Sequence, residues 1–218
     1  ISAQKARFNA QDINGIRIKG FASGSALKLD VASAQDFMGA VASLKGRAGD
    51  RKTLSGADLS FYGKTSNLKA LMESLKMDTS KLPQSISSAE ANISAKGKAE
   101  ALNFDADIAA LNGQLRASGD MTGLLDTPSF NNLVVGAKHP NLVKAIQVLN
   151  PAFSGSEGLE KPFDFQAKAV KDGNVYDLKG MKATLGSMSV TGDLKVDQSG
   201  AKPFISGNLQ AGDMPLDS

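Results

Sequence analysis

The feature that most constrains this chain is an apolar/polar alternation of period two that runs through most of its length. Near the C-terminus Met188, Val190, Leu194 and Val196 share one parity, with Gly192 between them, while Ser187, Ser189, Thr191, Asp193 and Lys195 share the other. Successive side chains of a strand point to opposite faces, so this is a strand with one dry and one wet side. After a turn-rich segment, Ile205, Leu209 and Ala211 fall on one parity again, and the two runs predict an antiparallel hairpin.

The same pattern recurs upstream. Ile16 and Ile18, then Leu27, Leu29 and Val31, then Ala57, Leu59 and Phe61 alternate with polar neighbours. Ala89, Ala91, Ile93 and Ala95 follow, and after them Leu102, Phe104, Ala106 and Ile108. Asn112 and Gly113 predict a tight hairpin turn, because both central residues of a type I′ turn need positive φ, with Leu115 and Ala117 on the returning strand. Phe163, Phe165, Ala167 and Ala169 lead to a second turn at Asp172 and Gly173. The predicted fold class is mainly β with a few short helices (α+β): an elongated, curved antiparallel sheet or groove of about a dozen strands built from repeated strand-helix-strand units.

Three segments switch to helical spacing: Phe37, Val41 and Leu44; Leu68, Leu71, Met72 and Leu75; and Leu142, Ala145, Ile146 and Leu149. Ser33 with Asp36, Thr65 or Ser66, and Pro140 after His139 supply their start signals. The second and third sit in a repeated context, since "LSFYGKTSNLKALMESL" (59–75) aligns without a gap on "LVVGAKHPNLVKAIQVL" (133–149), sharing "K..NL" and both terminal leucines. A looser copy ends at Leu44. Strand, link, helix and further strands thus form a unit used more than once. The expected organisation is a β/helix repeat region over 1–85 and a β-groove region over 86–218, within one continuous domain.

The dry parity is rich in small residues, among them Ala89, Ala91, Ala95, Gly97, Ala106, Ala117 and Gly119. With 6% aromatics and no Trp, this is thin filling for a core. Either an apolar guest or the helix leucines complete it.

Chemical constellations are sparse. There is no Cys, which removes disulfides and thiolate metal sites, and a net charge of +3 without aromatic-basic clustering argues against nucleic acid. His139 is the single histidine and sits at a helix start. Asp105 and Asp107 share a strand face without a nearby partner cluster, the glycines around Gly24 form a turn instead of a phosphate loop, and "NIS" at Asn92 falls inside a strand. No catalytic, metal or cofactor-binding set emerges, and a non-enzymatic protein is expected. No apolar run reaches the roughly 20 residues needed to span a bilayer. The chain opens at Ile1 in a strand-like segment, as a fragment of a longer protein would.

The stretch "NLVVGAKHPNLVKAIQVLNP", followed by "FDFQAKAVKDGNVYDLKGMKATLGSMSVTGDLKVDQSGAKPFISGNLQAGDMPL", resembles the AsmA family of Gram-negative envelope proteins, related to TamB. Asn141, Leu142, Ile146 and Leu149 match the family's short helix; Leu185, Gly186, Val190, Gly192, Leu194 and Val196 match the next strand, and Pro203, Ile205, Gly207, Leu209 and Ala211 the last. The resemblance implies a periplasmic body of repeated strands, anchored in the inner membrane by an N-terminal segment outside this chain. It implies a role in outer-membrane biogenesis, binding or conducting phospholipids along an apolar β-groove between the two membranes. Met188, Val190, Leu194, Val196, Ile205 and Leu209 are candidate lipid-facing residues. Ile93, Phe104, Ile108 and Leu115 join them from the middle of the chain. The alternative is a scaffolding β module that binds a protein partner through a sheet edge.

Overall fold

The computed structural model describes residues 1–8, 11–74, 76, 79, 88–124, 129–150, 152–200 and 202–212. The protein is mainly β. Strands β1 (Ser2–Phe8), β2 (Gln11–Ser23), β3 (Ala26–Phe37), β4 (Ala40–Ala48) and β5 (Ala57–Thr65) are followed by helix α1 (Leu68–Ser74). Strands β6 (Ala89–Lys98), β7 (Ala101–Ala110), β8 (Gly113–Thr122) and β9 (Ser129–His139) lead to helix α2 (Leu142–Leu149), and β10 (Phe163–Asp172), β11 (Val175–Leu185), β12 (Met188–Asp197) and β13 (Phe204–Ala211) complete the sequence. Strand order in the sheet is chain order, and every registered pair is antiparallel. The chain divides into two compact units, one of residues 1–111 and 120–129, the other of 112–119 and 130–218.

Two-residue links make this meander possible. Gly24 (φ 58°) opens the link between β2 and β3, and Gly186 (φ 59°) that between β11 and β12, where the left-handed backbone costs glycine little. Both turn motifs read from sequence are shifted by one residue. Between β7 and β8 the linking residues are Leu111 (φ 58°) and Asn112 (φ 61°), with Gly113 already in strand; between β10 and β11 they are Gly173 (φ 56°) and Asn174. Keeping Ile108 and Ala110 on the face they share with Ala91 and Ala89 holds the register, and a one-residue slip would turn the apolar set to the other side.

The helix expected from Phe37, Val41 and Leu44 does not form. Phe37 ends β3, Met38 (φ 56°) and Gly39 (φ 81°) make a turn, and residues from Ala40 onward form β4. Asp36, read as a helix-start residue, accepts a hydrogen bond from the Gly39 N–H at 2.9 Å and so holds that turn. Ala40, Ala42 and Leu44 supply a period-two face whose alanines are weak signals, while Val41 stands opposite Lys64 and is 47% exposed. A helix of two turns is marginal in water, whereas a strand here gains ladder bonds on both sides.

The other two helices form, and the shared "K..NL" has a structural cause in both. Asn67 Oδ1 accepts from the Ala70 N–H and Asn141 Oδ1 from the Lys144 N–H, each at 3.0 Å, so the repeated asparagine is the N-cap and the repeated leucine the first helical residue. The caps therefore lie at Asn67 and Asn141 instead of Thr65 or Ser66, and Pro140 precedes the cap instead of entering the first turn. The repeated lysine bonds to the next strand: Lys64 to Glu90 at 3.2 Å and Lys138 to Asp164 at 2.6 Å. Leu75 lies outside the described residues.

In the first unit the best-buried region is one end of the sheet. Leu102 is 1% exposed, in a row of β5, β6 and β7 with Gly97 and Ala57; Ala48, Ala57 and Ala99 are buried with it. The 49–56 loop is tied down there by the Ala99 N–H donating to the Thr53 carbonyl at 2.8 Å and by Gly49 donating to Ser55 at 2.7 Å. Elsewhere in the unit Thr65 is buried, and its hydroxyl donates to the Gly39 carbonyl at 3.0 Å while accepting from the Asn67 N–H at 3.1 Å.

Candidate functional site: an apolar sheet face

Directly paired residues of an antiparallel sheet share a face, so the registers define what each unit presents. In the first unit Leu44, Phe61, Ile93 and Ala106 form one row across β4 to β7; Gly46, Leu59, Ala95 and Phe104 form the next; Ala42, Gly63, Ala91 and Ile108 a third. The candidates Ile93, Phe104 and Ile108 therefore lie on one face, joined by Leu59 and Phe61 of β5 and Leu44 of β4. The sequence shows these three through continued parity. Val31 leaves the pattern because a register shift between Leu29 and Ala32 passes the face to Ala32.

In the second unit the rows across β10 to β13 read Phe165, Ala183, Val190, Ala211; then Met181, Gly192, Leu209; Leu178, Leu194, Gly207; and Tyr176, Val196, Ile205. Met188 faces Leu185 and Phe163 at the end of the same face. The six C-terminal candidates are thus brought together on one side of the unit. Leu115 of β8 joins this side: a Cβ built on Gly136 would lie 3.8 Å from the Arg116 Cβ, placing Arg116 on the opposite face, with Gly136 and Gln166.

Covering of these faces is slight among the described residues. α1 buries no residue fully, and α2 buries Val143. On the sheet the buried apolar residues are mostly alanines, so the large side chains of the faces keep solvent contact. Leu44 is 36%, Phe61 38%, Leu115 53%, Leu209 53% and Ile205 61% exposed, while Met188, Val190, Leu194 and Val196 are half-buried.

The glycines on these faces answer to the backbone. A Cβ at Gly192 would stand 2.0 Å from the Asn208 carbonyl oxygen, and one at Gly207 2.2 Å from that of Asp193. Gly46 and Gly97 meet the carbonyls of Asp58 and Ala101 in the same way. The small-residue character of the dry side thus arises partly from close strand approach, and the result is a relief in which leucines alternate with bare backbone.

The wet faces carry charge and hydroxyls. Asp105 and Asp107 stand across from Ser94 and Asn92, and they line a depression of about 380 Å³ with Tyr62, Lys45 and Asn92. Among the described residues no group of three or more His, Cys, Asp or Glu is placed to hold a metal ion. Lys64 is pushed above its ordinary value by its hydrogen bond to Glu90. His139 Nδ1 accepts from the Asn141 N–H at 3.0 Å, which ties the ring to the approach to α2. It borders a depression of about 480 Å³ with Pro140, Phe163 and Gly186. No described helix is long and apolar enough to cross a membrane. No protein-family model, curated protein or solved structure matches the chain.

Proposed function

We propose that this chain binds the acyl chains of lipids on the apolar faces of its sheet, as a periplasmic, AsmA-like protein that conducts phospholipids between the inner and outer membranes. The observation that carries the reading is the row structure of those faces: large apolar side chains stay half-exposed on a contiguous surface instead of closing over a core. Contiguous exposed apolar area is a mark of a binding surface. Each methylene transferred from water contributes about 0.8 kcal/mol, so about six methylenes laid along leucines and glycine gaps gain about 5 kcal/mol before the costs of association. Head groups stay in solvent. The residues' part is to desolvate, and the reading assigns no bond-making or bond-breaking step.

The test is native mass spectrometry of protein purified without detergent, paired with binding of a fluorescent phospholipid. Bound phospholipid is expected, and Leu44→Asp together with Leu115→Asp should reduce labelled-lipid binding at least tenfold while circular dichroism stays unchanged. No co-purified lipid and no labelled-lipid binding by the unaltered chain would overturn the reading.

A further inference from the structure

A β-bulge in β11 gathers lysines on the wet face of the second unit. Lys168 of β10 stands directly opposite Lys179 of β11, and Gln166 directly opposite Lys182. Lys179 and Lys182 are three residues apart, a spacing that sends side chains to opposite faces of a regular strand. The register shifts on both sides of β11, between Gln166 and Lys168 of β10 and between Leu178 and Met181 against β12, insert one extra residue there. Gly180 takes the left-handed backbone (φ 58°) at that point, and its N–H donates to Asp193 Oδ1 at 2.8 Å. Leu178 and Met181 thereby both keep the dry face, and Lys179 and Lys182 both reach the wet one.

The three lysines line a depression of about 390 Å³ with Gln166, Val134 and Gly180. Part of that lining is bare backbone, since a Cβ added at Gly180 would meet nothing within 4 Å. Like charges directly opposite on a sheet are destabilising, so Lys168 and Lys179 cost stability unless an anion lies between them. The acids of this face are engaged elsewhere: Asp164 bonds to Lys138 at 2.6 Å, Asp193 accepts from the Gly180 N–H, and Asp177 stands opposite Lys195. Lys168 Nζ donates to Asn132 Oδ1 at 3.2 Å, and among the described residues no carboxylate pairs with Lys168, Lys179 or Lys182.

We propose that this depression binds a phosphate group, held between the ammonium groups of Lys168, Lys179 and Lys182. A phosphate monoester brings about 1.5–2 negative charges and three strong acceptor oxygens, which matches three ammonium donors better than a carboxylate with one charge and two oxygens. Lysine serves such groups as a point charge. The site lies on the opposite side of the sheet from the apolar rows, so it goes beyond the binding of acyl chains, and either reading can fail without the other.

The test titrates inorganic phosphate into the unaltered chain at neutral pH and fixed ionic strength, following backbone amide signals by NMR. Saturable shifts around Lys168, Lys179 and Gly180 are expected. Lys179→Gln combined with Lys182→Gln should weaken the apparent affinity at least tenfold, whereas Lys195→Gln on the same face should leave it within twofold. A stability readout is independent of the titration. In phosphate-free buffer Lys179→Gln should unfold at a higher midpoint than the unaltered chain, because its repulsion with Lys168 is gone. Added phosphate should raise the midpoint of the unaltered chain and leave that of the double variant in place. Sedimentation with phosphatidylcholine vesicles, with and without phosphatidic acid, separates the two sources of the group. Binding of the free ion without vesicle capture identifies a soluble ligand, and phosphatidic-acid-dependent capture that the double variant loses identifies a membrane headgroup. Leu44→Asp together with Leu115→Asp, which tests the acyl surface, should leave the phosphate affinity unchanged. Neither phosphate binding nor phosphatidic-acid-dependent capture, or equal weakening by Lys195→Gln, would overturn the proposal.

Discussion

Truncating Leu102 to alanine should be among the most damaging single changes in this protein. Its side chain is 1% exposed, and the row partner on β6 is Gly97, which has no side chain to move into the space. The buried residues Ala48, Ala57 and Ala99 are too short to close it. Leu→Ala changes cost about 2–5 kcal/mol, the larger values going with cavities that persist, so the cost here is about 4 kcal/mol. For a unit of this size that lowers Tm by roughly 15 °C. The matched control is Leu44→Ala in the same unit, which is 36% exposed and whose loss should cost no more than about 2 kcal/mol. Urea unfolding followed by circular dichroism measures both, with the midpoint moving and the slope held. Equal costs for the two, or less than about 1.5 kcal/mol for Leu102→Ala, would show that the end of the sheet closed by the 49–56 loop is not where the first unit is held together.

Two further outcomes follow from local geometry. Gly192 has φ 143° and no room for a Cβ beside the Asn208 carbonyl, so Gly192→Ala should cost about 2–3 kcal/mol and speed amide exchange in β12 and β13. Gly173→Ala, with φ 56° and open space, should cost only about 1 kcal/mol. Asp50 accepts backbone hydrogen bonds from Thr53 at 2.9 Å and Lys52 at 2.8 Å, which hold its carboxyl below the ordinary 3.8. A lowered folded value means that its stabilisation is fully present above the ordinary value and is lost as pH falls through the folded one. Protection of the Ala99 N–H should therefore decline at that acid limb, and Asp50→Asn, which keeps the acceptor without the titration, should flatten the decline; an unchanged profile would sink the assignment.

The hairpins were legible because a half-buried strand writes its two faces into alternate residues. That is why Met188 to Val196 and Ile205 to Ala211 could be placed against each other before any coordinates. The repeat was legible too, although the reason for "K..NL" was not: capping by Asn67 and Asn141, and ion pairs from Lys64 and Lys138 to neighbouring strands, become visible only when the neighbours are in place. Residues 37–44 misled because Val41 and Leu44 have helical spacing, whereas the pairing of Ala42 with Gly63 and of Leu44 with Phe61 is a long-range fact with a weak local trace. Likewise, Gly97 was counted among the small residues that leave room for a guest, and the structure shows it, with Gly46, Gly192 and Gly207, pressed against a carbonyl of the adjacent strand.

By itself, then, the sequence determined the element type outside residues 37–44, the antiparallel neighbours and which parity is dry, since those depend on the nearest few residues. The tertiary structure decided how far the dry side is covered among the described residues and where adjacent strands come too close for a side chain. Both depend on distant parts of the chain, which no local pattern encodes.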